Sequence, residues 1–559
     1  MIPIDLPDEE TTVGKLTSVS SRSLSNRCYI HRKALNPQHS TLYDMTSQPV
    51  AFVRKASGLR RDVSLLDVVS LNLSNMSGGA ALGIIGFTTV LLSSMSGVNL
   101  VYGSILAWLL SIPEIIVYTM MTTRVSRTGG DYVWVSRVYG GFFGGPLSFM
   151  GYTLETMAYL ALIALAAVFA IGSVGVALGY ENMLPLALPG NLPGANLGGQ
   201  FVIAAIVFAA LIAVNLLKPK AGYKVVAVAV IVAIVATFVA ILTLLAAGTT
   251  GVQNYMSFLN SIGVKDTYSS IASSYSGPTF DFGATIFMLP FFAIFVYPWL
   301  NAGPAVASEI KGRGALRYNV VISSVVTLII VTTAFASMYY AGGFNFVNGA
   351  LANPTLVFDY GFNFWTLAMG VSTIPAVSWF IGLGWILWNV AILAYGIIVL
   401  SRYLFAQSFD RFLPEKISQV SPSYNSPVVA LLIELVGTIV LIGLASFFYG
   451  TLVALYGAVV ASMIYFFFIG VAAVVYAFKN EKGQSKAILS IAGVLMAIVF
   501  AYIVYQFLAS PAIWGGNPVA YGWVVASFIA GILIYAASKS YYSQRGIDIS
   551  LAYKELPPL

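Results

Sequence analysis

Residues 70–90, SLNLSNMSGGAALGIIGFTTV, set Asn72, Ser74, Asn75, Ser77, Gly78 and Gly79 in the middle of an otherwise apolar run. A helix crossing hydrocarbon must pair its own backbone groups, so a polar, glycine-rich interruption survives there only where it is buried or lines a cavity. A second run, FMLPFFAIFVYPWLNAGPAVASEIKG (287–312), carries Pro290, Pro298, Gly303 and Pro304, with Asn301 between the last two prolines. Proline deletes a helical hydrogen bond and glycine relaxes the backbone, so each run reads as two half-helices with an unwound centre.

The rest of the chain makes membrane the solvent. Of 559 residues, 58% are hydrophobic and 9% charged, against roughly 25% charged in ordinary soluble domains; mean hydropathy is +0.85. The fold class is therefore an all-α polytopic membrane protein of about twelve helices. Spans are expected at 65–92, 99–122, 142–177, 199–216, 224–248, 283–309, 317–341, 374–401, 427–446, 451–477, 487–508 and 519–537. The interrupted runs are the first and sixth. They are equivalent members of two successive five-helix sets, the arrangement of an inverted repeat whose broken helices meet at a midplane site. Glycines also mark close helix packing and prolines also kink intact helices; matching positions in the pair favour the site.

Broken ends carry their own chemistry. Free N–H groups at a half-helix N-terminus attract a carboxylate, while exposed carbonyls at a C-terminus attract an ammonium or cation, so a zwitterion suits both.

Charge sets the orientation. With the tail and alternate loops in the cytoplasm, 27 of the 28 Lys and Arg residues fall inside and only Lys265 falls outside. By the positive-inside rule both termini are expected in the cytoplasm. The net charge of +7 then reflects topology and contacts with anionic lipids, and requires no nucleic-acid partner. Residues 1–62 read as a largely disordered cytoplasmic tail, with a possible alternative start at Met45. Residues 63–537 read as the transmembrane domain (helices 1–10 over 65–477, helices 11–12 over 487–537), and 538–559 as a short cytoplasmic tail. The outer loops 249–282 and 342–373 have the length of loops that cap a site.

The single Cys28 and both histidines, His31 and His39, lie in the first forty residues. The membrane region thus holds no thiolate or imidazole, which removes Cys nucleophiles, His bases and Cys/His metal sites. No enzyme activity, metal or cofactor is expected. Deep ionisable groups are functional suspects, and three are expected: Glu114, Glu155 and Glu434. Glu155, with Tyr152 and Tyr159 at i−3 and i+4, reads equally as a proton carrier, a counter-ion for a cationic substrate, or a buried neutral acid bonded to a tyrosine. Glu114, beside Pro113, is the second coupling candidate. Glu434 reads as a structural hydrogen-bonding group.

Three landmarks resemble the amino acid-polyamine-organocation transporter superfamily. They are Gly129-Gly130-Asp131-Tyr132-Val133-Trp134-Val135-Ser136-Arg137; Ser401-Arg402-Tyr403 leading through Ala406, Asp410 and Pro414 to Ser426-Pro427; and Glu309-Ile310-Lys311 closing the sixth span. Their order and spacing make the match specific over about Asp67 to Pro427. The resemblance implies a LeuT-like core of ten helices in two inverted five-helix repeats, two peripheral helices, and alternating access without ATP. The expected location is the plasma membrane. It implies that the backbone N–H groups of Gly79 and Ala80, in Gly78-Gly79-Ala80 after Met76-Ser77, receive a substrate carboxylate and that the Met76 carbonyl receives its ammonium. It also places Phe295 as an aromatic gate, with Tyr297, Pro298, Trp299 and Asn301 in the unwound part of the sixth span. Asn301 and Met120 depart from the family, standing where many members carry glutamate.

The function expected is a secondary active amino acid permease, coupled to H+ as a symporter or exchanger. Sodium is the less favoured ion, since Trp379 to Leu400 contains no Ser or Thr. Phe295, Tyr297, Trp299, Asn301 and Tyr152 suit a neutral or apolar amino acid, whereas an ionised Glu155 would suit a basic amino acid or polyamine. The alternatives are a same-fold carrier of polyamines, nucleobases or other small solutes and, less favoured, a membrane-embedded enzyme or a channel.

Overall fold

The computed structural model describes residues 61–90, 96–188, 190, 193–261, 263–421, 423–424, 426–448 and 457–557. Met45, Cys28, His31, His39, nearly all of the expected N-terminal tail and the start of the expected tenth span lie outside these residues.

In chain order the helices are α1 (Leu65–Met76), α2 (Gly78–Thr89), α3 (Leu100–Arg124), α4 (Asp131–Ser148), α5 (Glu155–Ala177), α6 (Leu184–Ala187), α7 (Leu197–Leu217) and α8 (Pro219–Ser261). They continue as α9 (Tyr268–Ser274), α10 (Phe282–Phe287), α11 (Leu289–Phe295), α12 (Ala302–Ala305), α13 (Arg313–Gly342), α14 (Phe344–Leu351), α15 (Phe364–Val371) and α16 (Pro375–Phe409). The last five are α17 (Val428–Phe447), α18 (Val460–Asn480), α19 (Gly483–Ala509), α20 (Pro511–Trp514) and α21 (Pro518–Ser543). Among the described residues there is no strand beyond the isolated bridges Val63 to Ile310 and Thr128 to Val306. Eleven helical segments among them are long and apolar enough to cross a membrane. The sixth expected span is not one of these because its helix is cut into α10, α11 and α12.

Several expected boundaries move. The third span begins at Asp131, eleven residues before its apolar part, bends at Gly140 (φ 76°) and passes through a π-turn over Phe149–Leu154. The eighth runs to Phe409 and the last to Ser543. Hydropathy marks only the part of a helix that sits in hydrocarbon, whereas the backbone ladder continues until a cap or breaker stops it. The outer loops are partly helical, as α9, α14 and α15. The C-terminal tail docks: Tyr553 is buried, Arg137 lies 5.7 Å from its ring centroid, and the Arg127 guanidinium donates to the Pro557 carbonyl.

Position within the bundle follows composition. In the most apolar stretch of the first span 94% of residues are buried, against 28% in α21. The polar interruption of the first span therefore sits at the centre, surrounded by protein, while apolar side chains such as Ile206, Val436 and Leu533 face outward, as lipid contact requires. Helices α18 and α19 approach so closely at Gly470 and Gly493 that a Cβ on either would come within 2.8 Å of the other's carbonyl oxygen.

Candidate functional site

The first span breaks at Ser77. The α1 helix starts at a capping box, with Ser64 Oγ accepting from the Asp67 N–H and Asp67 accepting from the Ser64 N–H, and stops where Ser77 turns left-handed at φ 44°, ψ 31°. The first hydrogen bond of α2 runs from the Ala81 N–H to the Ser77 carbonyl at 3.0 Å. The N–H groups of Gly78, Gly79 and Ala80 thus precede the helical ladder and point out of the α2 N-terminus. The break in the sixth span begins after Phe295, where Val296 leaves helical geometry (φ −131°, ψ −83°), and lasts to Asn301. Trp299 folds its indole N–H back onto the Ile294 carbonyl at 2.6 Å, satisfying one orphan acceptor at the end of α11.

These two breaks face each other. The Ser77 hydroxyl donates to the Phe295 carbonyl at 2.6 Å, and the Asn75 amide donates to Asn301 Oδ1 at 2.8 Å. One turn inward, Asn72 accepts from the Gly303 N–H at 2.7 Å and donates to Asn319 Oδ1 at 2.8 Å. Every residue expected at the site is buried: Met76, Ser77, Gly78, Gly79, Ala80, Phe295, Tyr297, Pro298, Trp299 and Asn301. The structure thus gathers Ser77, Phe295, Trp299 and Asn301 around the breaks. Tyr297 instead turns its hydroxyl to Ser104 at 2.6 Å. Gly79 also serves packing, since a Cβ there would overlap the Trp388 indole, and its carbonyl accepts from the Trp365 indole at 2.8 Å.

Aromatic rings from the π-turn, α5 and α16 complete the surroundings. Tyr159 stacks on Trp299 (centroids 5.5 Å apart, 14° between planes), and Tyr152 stacks on Tyr403 (3.8 Å, 22°). Glu155, between these tyrosines in sequence, is 1% exposed, and the hydroxyls that bear on its carboxyl group are those of Ser462 and Thr156. The tyrosine partner considered for it is not made. Glu434 finds no hydrogen-bond partner for either oxygen within the described residues, so its expected structural hydrogen bond is not seen. Neither pairing could be read from helical spacing alone, because the neighbouring helix faces decide it.

A fourth deep carboxylate escapes the sequence reading. Asp131, in the Gly129-Gly130-Asp131-Tyr132 landmark, is fully buried and accepts from Tyr403 at 2.5 Å, Tyr465 at 2.9 Å and Tyr118 at 2.8 Å. Tyr403 in turn accepts from Asn301 at 3.3 Å. A continuous hydrogen-bonded chain therefore runs Asn75, Asn301, Tyr403, Asp131, from the break towards the end where the basic residues collect. Asp131 looked like a loop residue because the apolar run starts only after it.

That end is sealed. Arg402 and Glu309 pair through two 2.9 Å bonds, and Tyr223 donates to the same carboxylate at 3.2 Å. Backbone bonds tie Asp62 and Val63 to the Glu309 carbonyl, Lys311 to the Val63 carbonyl and Gly129 to the Ala305 carbonyl. Arg137 pairs with Asp410, which also accepts from Tyr132. At the other end Gly97 accepts from the Asp281 N–H, the Asn348 amide donates to the Val98 carbonyl and the Thr89 hydroxyl to the Leu351 carbonyl.

The family model "Amino acid permease" matches residues 64–540. An uncharacterized protein, protein 399 of Sulfolobus islandicus rod-shaped virus 1, is 30% identical over 90 residues, which is 16% of this chain and 22% of that protein. The chain thus spans about a fifth of that relative, whose name assigns no activity. A match to the permease model over most of the chain, on a polytopic helical bundle, makes this an integral membrane protein that belongs to the amino acid permease family, in the amino acid-polyamine-organocation superfamily.

Proposed function

We propose that the protein is a secondary active transporter that carries a zwitterionic amino acid by alternating access, in a LeuT-like core of two inverted five-helix repeats. The observation that carries this reading is the facing pair of breaks, joined by Ser77 to Phe295 and by Asn75 to Asn301. The N–H groups of Gly79 and Ala80 at the α2 N-terminus would hold the carboxylate. The Met76 carbonyl at the α1 C-terminus would hold the ammonium, helped by Asn75 Oδ1, a buried acceptor with no partner within the described residues. Opposed half-helix termini present the two ends of a zwitterion with opposite partial charges. Phe295, Trp299 and Tyr159 offer apolar surface to a neutral side chain.

Coupling to H+, as symport or exchange, is assigned to Asp131 and Glu155. Asp131 is connected to the break through Tyr403 and Asn301, and buried carboxylates in membrane interiors are the usual proton carriers. Among the described residues no hydrogen bond joins Glu114 to the break. We place the protein in the plasma membrane; the distribution of basic residues supports a cytoplasmic position of both termini, since the sealed end carries Arg127, Arg137, Arg402 and Lys311.

The test is uptake into proteoliposomes of a radiolabelled amino acid panel, with and without an inward proton gradient, and with amino acid methyl esters and N-acetyl amino acids as competitors. Saturable uptake stimulated by the gradient, and resistant to both competitors, is expected. Strong competition by either derivative would overturn the zwitterion site. Indifference to the gradient would overturn proton coupling, and absence of uptake of any amino acid by folded protein would overturn the substrate class.

A further inference from the structure

Between α3, the outer half of the sixth span and α19 lies a cavity of about 350 Å³ whose walls include Ala107, Leu289, Phe292, Met496 and Ile503, at the lower end of the range for small-molecule sites, about 300–1,000 Å³. It reaches the lipid-facing side of the bundle, since Ile498 in its wall is 60% exposed. Glu114 also lines it, 2% exposed, with Oε1 lacking any hydrogen-bond partner within the described residues. The other polar groups of the wall are already used. The Ser111 hydroxyl donates to the Trp108 carbonyl, Tyr297 bonds Ser104, and Tyr502 donates to the Ile286 carbonyl.

A carboxyl group at an apolar wall, with its acceptor unspent, defines a ligand with one donor and an apolar remainder. Burying a carboxylate is costly unless it is paired, and an ammonium offers both the opposite charge and the charge-assisted hydrogen bond. A phospholipid headgroup would also bring a phosphate into these apolar walls, where nothing pairs it.

We infer that this cavity is a membrane-facing binding site for a single-chain primary alkylamine, with the ammonium on Glu114 and the chain against α11 and α19. Pro298 and Tyr297 belong both to its wall and to the unwound part of the sixth span, so the occupant touches the segment between the half-helices. The inference does not depend on which solute the central site carries.

The probe is a primary alkylamine bearing a diazirine in its chain, photolysed with the full chain in phosphatidylcholine nanodiscs, with adducts mapped by peptide mass. Saturable adducts are expected on residues 107–114, 286–298 and 496–503. They should fall about tenfold in Glu114→Gln and in the cavity-filling Ala107→Phe, and be competed by n-octylamine but not by n-octanol. If Glu114→Gln fails to fold, Ala107→Phe and the two competitors decide the matter. Equal competition by n-octanol, adducts undiminished in a folded variant, adducts spread over the outer surface, or displacement by phosphatidylethanolamine would each overturn the assignment.

Discussion

The hydroxyl of Ser77 reaches across 2.6 Å to the carbonyl of Phe295, so that the turn ending α1 is tied to the turn ending α11. Ser77 holds this bond from a left-handed backbone, φ 44°, which among the described residues only Arg411 shares outside glycine. A left-handed residue other than glycine costs about 1–2 kcal/mol, and the bond offsets part of that.

Ser77→Ala therefore removes the donor and keeps the strain, and should destabilise the protein by about 1 kcal/mol. Ser77→Gly loses the same bond but relieves the backbone, and should fall between Ala and wild type. Thermal unfolding of the purified protein in one detergent checks the order; two variants matching wild type would refute the contribution.

Gly79 sits where a Cβ would overlap the Trp388 indole. Gly79→Ala should cost about 1–3 kcal/mol by overpacking, and Trp388→Leu should make the second change nearly free of that cost while losing the 3.1 Å bond from its indole to Thr237. A double-mutant cycle on unfolding should show strong non-additivity; additive effects would mean that the contact does not limit the site.

Arg402 and Glu309, with side chains 8% and 6% exposed, form the ion pair of the sealed end. Removing one partner leaves a buried charge, so Arg402→Met should cost about 3–5 kcal/mol, and Arg402→Met with Glu309→Leu should recover most of it. Denaturation midpoints of the three variants check this, and a double variant as unstable as the single would count against the pairing.

Asp131 accepts from three tyrosine hydroxyls. Asp131→Leu orphans all three, at about 1–3 kcal/mol each before relaxation, while Asp131→Asn keeps one carbonyl acceptor and should be the milder change. In the folded Asn variant, uptake driven by a proton gradient should drop to the level seen without one. Full gradient stimulation in Asp131→Asn would shift the coupling role to Glu155.

Apolar runs and two interrupted spans were enough, by themselves, to establish the helical membrane class and where the backbone breaks. These are properties of the chain against a solvent: hydrocarbon accepts only self-paired helices, and proline or glycine prevents self-pairing wherever it occurs. The family landmarks were legible for the same reason, being local. What only the tertiary structure decided is which groups meet. That Ser77 bonds Phe295 and Asn75 bonds Asn301 involves partners 218 and 226 residues apart. No periodicity encodes such pairings; helix packing does. The same packing buried Asp131 among three tyrosines though hydropathy placed it in a loop, left Glu434 without its expected partner, and turned Glu114 towards an apolar cavity.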